Sequence, residues 1–211
     1  MNIIKYGNDD AKTILVQTVD EYDLKNIENE ISYIKNNTNK DFCLYAFKVD
    51  NWNDDLSPWH ADAIFGNNEF KGNGKKTLDE IITYLKDESK DYYIGGYSLA
   101  ALFSLWAAFN INLFKGVAAA SPSVWFNDFD NFVYKNNIKT KNVYLSLGDK
   151  EDKTKNQVMK TVKEKIIKIN DILLNKEINT ILEFNEGNHL KMQISEQPKL
   201  LCGYLIKRSS K

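Results

Sequence analysis

Residues 92–100 combine a short apolar run, a pair of glycines and the start of an apolar helix: Tyr92-Tyr93-Ile94-Gly95-Gly96-Tyr97-Ser98-Leu99-Ala100. The pattern Gly-x-Ser-x-Ala is typical of a sharp strand-to-helix turn that exposes a serine at its tip. The residues two before and two after the serine must be small because strand and helix nearly touch there, and Gly96 and Ala100 meet that condition. The competing interpretation is an ordinary tight turn in which Ser98 caps the helix.

Strands and helices alternate along the rest of the chain. Apolar, β-branched runs predict strands at 13–19, 42–47, 92–94, 114–120, 143–147 and 180–184. Apolar residues at helical spacing, or a capping box at Thr77–Glu80, predict helices at 24–34, from 77 onward, and at 98–109, 128–136, 158–174 and 195–206. A long loop is expected from 49 to about 76. This alternation predicts a single α/β domain over residues 1–211, with a mostly parallel central sheet and helices on both faces in a three-layer sandwich.

A base is needed to activate a serine hydroxyl, and the sequence contains two histidines, His60 and His189. In such sheets the reactive groups follow the carboxyl ends of the strands. His189 follows the last predicted strand, whereas His60 lies in the long loop before the serine. Since the chain order in this type of site is serine, acid, histidine, the sequence predicts His189 as the base for Ser98.

An acid that orients the histidine is expected after the strand 143–147. Three candidates stand there, Asp149, Glu151 and Asp152. Glu151 is preferred because it stands three places after Gly148, which suits a loop that turns back toward the histidine. For the others the expected role is that of solvated charges near a helix start.

Other site residues follow from neighbouring strand ends. The backbone N–H of Leu99, directly after the serine, is expected to bind an oxyanion, and the second donor is expected from Trp52 or Asn53 in the loop after the strand 42–47. Aromatic residues that follow strands are predicted to wall a substrate pocket, with ordinary core packing as the alternative: Trp52, Trp59, Trp125 and Phe126.

Composition excludes several function classes. The chain has 28 Lys and Arg against 29 Asp and Glu, a net charge of −1, and Arg208 is its one arginine, so a nucleic-acid partner is not expected. Two histidines and two isolated cysteines form no zinc-binding spacing, and no dinucleotide-binding glycine motif follows a strand, so neither metal nor cofactor is expected. Without an apolar run of about 18 residues or a signal-peptide pattern, no membrane association and a cytoplasmic location are expected.

Two segments resemble the α/β-hydrolase superfamily, and within it the esterase D-like and siderophore-ester hydrolase group. One is Gly95–Ala100; the other is Ala120-Ser121-Pro122-Ser123-Val124-Trp125-Phe126, similar to that group's Ser-Pro-Ser-x-Trp segment. The resemblance implies an α/β-hydrolase fold, with Ser98 as nucleophile, His189 as base and Glu151 or a neighbour as acid. It also implies cofactor-independent hydrolysis of a carboxylic ester. The chain is short for the superfamily, so a minimal lid or none is expected.

The leading hypothesis is therefore a serine esterase that acts on a small-molecule ester through a Ser-His-acid triad and an acyl-enzyme. An acyltransferase or thioesterase would use the same site with a different acceptor or substrate. A non-catalytic binding protein on a hydrolase scaffold is the alternative of another class, because fold does not dictate function. The sequence indicates no particular oligomeric state.

Overall fold

A mostly parallel sheet organises the chain. The computed structural model describes residues 1–64 and 66–189. The strands of the main sheet are β1 (Asn2–Gly7), β2 (Thr13–Val19), β3 (Phe42–Lys48), β6 (Asp91–Tyr97), β7 (Phe114–Ala120), β8 (Asn142–Gly148) and β9 (Asn179–Asn185), while β4 (His60–Ala61) and β5 (Phe70–Lys71) form a separate hairpin. The seven strands run in the order β1-β3-β2-β6-β7-β8-β9. Only β1 is antiparallel to its neighbour in this sheet.

Helices connect the strands and cover both faces of the sheet. They are α1 (Glu21–Asn37), α2 (Trp52–Leu56), α3 (Gly74–Ile82), α4 (Leu99–Asn110), α5 (Phe129–Lys135) and α6 (Val162–Asn175), the last preceded by a 3-10 turn, Met159–Thr161. On one face, Ile27, Ile31 and Ile34 of α1 pack against Leu15 and Leu44. The alternate side chains of the same strands belong to the larger core cluster on the other face, which also contains residues of α3 and α4, and α6 packs on β8 and β9. The predicted three-layer α/β architecture is therefore confirmed.

Helix α4 lies in the centre of this arrangement because it is apolar on all sides. All its residues except the last, Asn110, are buried, and it packs on β6 and β7. A helix without a polar face needs cover all round. Because α4 begins directly after β6 ends, its amino terminus lies at the carboxyl edge of the sheet.

Two local predictions from sequence differ from the structure, and one strand had no prediction. Residues 2–7 form an antiparallel edge strand, which polar side chains concealed in the sequence. Helix α3 starts at Gly74, so Thr77 is a buried residue within the helix and does not cap it. The segment 49–73 contains α2 and the hairpin β4-β5 in place of a plain loop. The predicted helix at 195–206 lies outside the described residues.

None of the helices within residues 1–64 and 66–189 has the length and apolar character that spanning a bilayer requires.

Glu30 is a buried carboxyl group on α1. One of its oxygens lies 3.4 Å from the Gln17 amide nitrogen, and the other has no hydrogen-bond partner within the described residues. Burial, together with the nearby charge of Asp23, raises the pKa of Glu30 from 4.5 to about 8. The folded protein therefore holds this proton at pH values at which the unfolded chain has released it.

Because the folded-state pKa of Glu30 is raised, we expect its stabilising contribution to be complete below about pH 4.5 and to be lost as the pH rises to about 8. Glu30→Gln should remove this fall and raise the free energy of unfolding at pH 8.5 by on the order of a few kcal/mol. Urea unfolding at pH 5 and pH 8.5 measures both effects. Glu28→Gln, on the exposed side of the same helix, should keep the wild-type pH dependence; equal behaviour of the two variants would contradict the assignment to Glu30.

Candidate active site

Ser98 lies at a strained turn between β6 and α4. Its backbone has φ 57° and ψ −118°. Residues other than glycine rarely adopt this conformation, and those that do cluster at functional sites. The turn is also tight: a Cβ atom on Gly96 would lie 2.8 Å from the carbonyl carbon and the Cβ of Ala100. Glycine is therefore required two places before the serine, and Ala100 is small enough for the approach.

Hydrogen bonds connect Ser98, His189 and Glu151 in a row. Nε2 of His189 lies 3.1 Å from Oγ of Ser98, and Nδ1 of His189 lies 2.8 Å from a carboxylate oxygen of Glu151. The serine follows β6, the acid follows β8 and the histidine follows β9, so the parallel strands bring all three to one edge of the sheet. An imidazole held in this way can accept a proton from a hydroxyl group.

The carboxylate of Glu151 is enclosed and fully hydrogen-bonded. The residue is 8% exposed. The oxygen that does not contact His189 accepts a hydrogen bond from the backbone N–H of Gly148, at 2.8 Å, and one from the hydroxyl of Ser121. A buried charge is tolerated when its acceptor sites are satisfied, so this carboxylate has a fixed orientation toward the imidazole.

Tyr97 supports the backbone of His189. Its hydroxyl donates a hydrogen bond to the His189 carbonyl oxygen, and the two rings lie 4.9 Å apart. Burial, and next the negative charge of Glu151, raise the pKa of Tyr97. The phenol therefore remains a hydrogen-bond donor to this carbonyl throughout the neutral pH range.

The other candidates for base and acid have different surroundings. His60 is exposed and lies 3.1 Å from Glu69. Asp149 accepts a hydrogen bond from the backbone N–H of Gly187, at 2.9 Å, and Asp152 pairs with Lys153. Asp149 thus anchors the loop that precedes His189, while Glu151 contacts its ring.

A cleft of about 230 Å³ opens next to the Ser98 hydroxyl. Its wall combines apolar and polar side chains from six parts of the chain: Trp52, Asn53, Phe70, Ser98, Leu99, Ser123, Trp125, Met159 and His189. The residues predicted as oxyanion donors, Leu99 and either Trp52 or Asn53, therefore border the cleft, as does the predicted wall residue Trp125. Phe70 and Met159 are wall residues that the sequence did not indicate.

Two of the predicted wall residues lie elsewhere. Phe126 is 0% exposed and contacts Phe70 and Trp59 from inside the core. Trp59 packs among Phe126, Phe129 and Phe132 and donates its indole N–H to the carbonyl oxygen of Asn127, at 3.1 Å. The aromatic residues after strands thus divide between cleft and core, because only those that turn toward Ser98 can line the cleft.

Comparisons with solved structures identify similar folds. The chain is similar to an IroE-like serine hydrolase from Shewanella oneidensis (TM-score 0.77, 14% identity, 97% of this chain and 75% of that chain). It is also similar to the siderophore hydrolase EstB from Aspergillus nidulans (TM-score 0.61, 12% identity, 98% and 86%). A third is the enterobactin esterase FES from Shigella flexneri (TM-score 0.64, 8% identity, 96% and 54%), of which the chain spans about half the length.

Sequence comparison adds no relative, since neither a protein-family model nor a curated protein matches this chain. At 14% identity and below, the likeness to these structures establishes the fold alone. That likeness, together with the parallel sheet and the strained serine turn after β6, leads to one conclusion: the chain has the α/β-hydrolase fold.

Proposed function

We propose that this protein is a serine hydrolase that cleaves a carboxylic ester of a small molecule. The observation that carries the proposal is the row of contacts from Oγ of Ser98 through the imidazole of His189 to Glu151. It lies at the strained turn where a serine hydroxyl is exposed to a cleft. The fold's resemblance to a serine hydrolase and two siderophore-ester hydrolases adds support of a general kind.

The reaction begins when Oγ of Ser98 attacks the ester carbonyl while Nε2 of His189 takes the hydroxyl proton. Glu151 accepts the Nδ1–H hydrogen bond, which keeps Nε2 unprotonated before attack and stabilises the imidazolium afterwards. The imidazolium then gives its proton to the leaving alcohol, and an acyl group remains on Ser98. Water, activated by the same imidazole, releases the acid and restores the serine.

Backbone N–H groups stabilise the negative charge on the carbonyl oxygen during both steps. The first donor is the amide of Leu99, and the second is the amide of Trp52 or Asn53; all three residues border the cleft. Since the cleft volume of about 230 Å³ is below the range of about 300–1,000 Å³ that drug-sized ligands occupy, we expect a short acyl group to be preferred.

A fluorophosphonate probe tests the proposal, because it reacts covalently with an activated serine. We expect the wild-type protein to be labelled at Ser98, identified by peptide mass spectrometry, and to hydrolyse p-nitrophenyl acetate faster than the octanoate ester. Prior labelling should lower the rate of hydrolysis in proportion to the fraction of protein that carries the label. Failure of wild-type protein to label or to hydrolyse either ester would exclude this function and favour a binding protein on the same scaffold.

The acceptor is tested by adding a primary alcohol to the hydrolysis reaction. A hydrolase should release free acid as its main product, whereas an acyltransferase would form the new ester in preference. Product analysis by chromatography separates the two outcomes.

A further inference from the structure

Backbone hydrogen bonds attach the Ser121-Pro122-Ser123 turn after β7 to both neighbouring strand ends. The N–H of Ser121 donates to the carbonyl oxygen of Ser146, at 2.8 Å, and the N–H of Ser123 donates to the carbonyl oxygen of Ser98, at 3.1 Å. The N–H of Ser98 in turn donates to the carbonyl oxygen of Ala120, at 3.0 Å. The turn is therefore fixed relative to both the serine turn and the end of β8, and its side chains have little freedom.

Ser121 contacts the acid end of the site. It is buried and has a φ of 41°, a conformation that costs energy in a residue with a Cβ. Its hydroxyl donates a hydrogen bond to the Glu151 oxygen that faces away from His189. A donor to a carboxylate stabilises the ionised form, so this hydroxyl acts on the charge that Glu151 presents to the imidazole.

Ser123 contacts the opposite end of the site, at Ser98. Its side chain is buried, and its hydroxyl lies 3.3 Å from Oγ of Ser98; within residues 1–64 and 66–189 it has no second hydrogen-bond partner. Ser98 has one hydroxyl proton, which must point to Nε2 of His189 for the reaction to proceed. Ser123 must then donate to Oγ of Ser98, which holds the side chain in the reactive rotamer and stabilises the charge that develops on this oxygen as its proton leaves.

From these contacts we infer that Ser121 and Ser123 are positioning residues, which set the acid and the reacting serine from one rigid turn. The inference rests on the proposed function and adds to it two residues outside the Ser98-His189-Glu151 row. It also gives a physical reason for the Ser-Pro-Ser segment, which packing of the sheet alone does not require.

Two variants remove the Ser121 hydroxyl with opposite backbone consequences. Ser121→Ala keeps the strain at φ 41°, whereas Ser121→Gly relieves it. If the hydroxyl matters, both should lower kcat/KM by a similar factor, about tenfold or more for a hydrogen bond to a charged group. Both should also move the acidic limb of the kcat/KM profile to higher pH, because a carboxylate without this donor attracts the imidazolium proton more strongly. The titratable side chains that contact His189 in the described residues are Glu151 and Tyr97, and both remain in these variants.

Ser123→Ala should have a different signature. We expect about a three- to tenfold fall in the rate of fluorophosphonate labelling and in kcat/KM, which is the value of one neutral hydrogen bond, with the acidic limb unmoved. Ser123→Cys keeps nearly the same volume but donates weakly, so its labelling rate should lie between those of wild type and Ser123→Ala. This second variant also covers the case in which the alanine variant folds poorly.

Ser104→Ala is the matched control, because Ser104 is a buried serine of α4 whose hydroxyl donates to the Ala100 carbonyl oxygen, at 2.8 Å. It should lose stability without a change in labelling rate or pH profile. Wild-type labelling by both Ser123 variants, or an unmoved acidic limb in both Ser121 variants, would overturn the inference. Absence of labelling in the wild-type protein would instead contradict the proposed function, so the two failures are distinguishable.

Discussion

Ser98→Ala and His189→Ala are each expected to lower kcat for a short p-nitrophenyl ester by roughly 10⁴- to 10⁶-fold, and the double variant is expected to be no slower than either single one. The reason is that the two side chains act as a unit: Oγ of Ser98 attacks only if Nε2 of His189, 3.1 Å away, takes its proton. Removal of either leaves the oxyanion donors and the cleft, which supply whatever rate remains. Single-turnover and steady-state kinetics on the three variants measure this non-additivity.

His60→Ala is the control for the histidine, since His60 is the other histidine of the chain and lies exposed beside Glu69. It should retain wild-type kcat. If the fold-losses of the two single variants multiplied in the double variant, Ser98 and His189 would act independently. If His60→Ala were as slow as His189→Ala, the assignment of the base to His189 would be contradicted.

The sheet and the serine turn were predictable because both depend on local patterns. Apolar strands alternate with amphipathic helices along most of the chain, and the glycine and alanine around Ser98 are required by a steric contact between near neighbours in sequence. The order of serine, acid and histidine along the chain limited the predicted base to His189. Glu151 was preferred over Asp149 and Asp152 from loop geometry alone, and it is the acid that contacts the imidazole in the structure.

Features that depend on contacts between distant segments were not predictable in the same way. Trp59 and Phe126 follow strands, as Trp125 does, but Trp59 packs against α5, and Phe126 packs against Trp59 inside the core. Edge strand β1 has no continuous apolar run in its sequence, and it is held in the sheet by antiparallel pairing with β3. The contacts of Ser121 and Ser123 with Glu151 and Ser98 span 25 to 30 residues, and the sole signal for them was the Ser-Pro-Ser-x-Trp segment.

Glu151→Gln is expected to lower kcat by roughly 10³- to 10⁴-fold, comparable with the effect of a carboxylate-to-amide change in a triad, and to be slower than Glu151→Ala. The amide has one acceptor end and one donor end. The N–H of Gly148 is a fixed donor to the far oxygen of Glu151, so the amide oxygen of the variant must occupy that position. Its NH₂ group then points at Nδ1 of His189, which must accept, and the ring proton moves to Nε2, where it prevents proton transfer from Ser98.

The comparison of amide with alanine makes this prediction specific to the hydrogen-bond directions around Glu151. In Glu151→Ala neither tautomer of His189 is enforced, so a fraction of the imidazoles keeps Nε2 free and some activity returns. Asp152→Asn is the matched control, since Asp152 is the neighbouring acid and pairs with Lys153; the amide keeps the size of the side chain, so kcat should stay within about threefold of wild type. If Glu151→Gln were faster than Glu151→Ala, the carboxylate would be acting by charge alone, and the fixed N–H of Gly148 would have no part in selecting the tautomer.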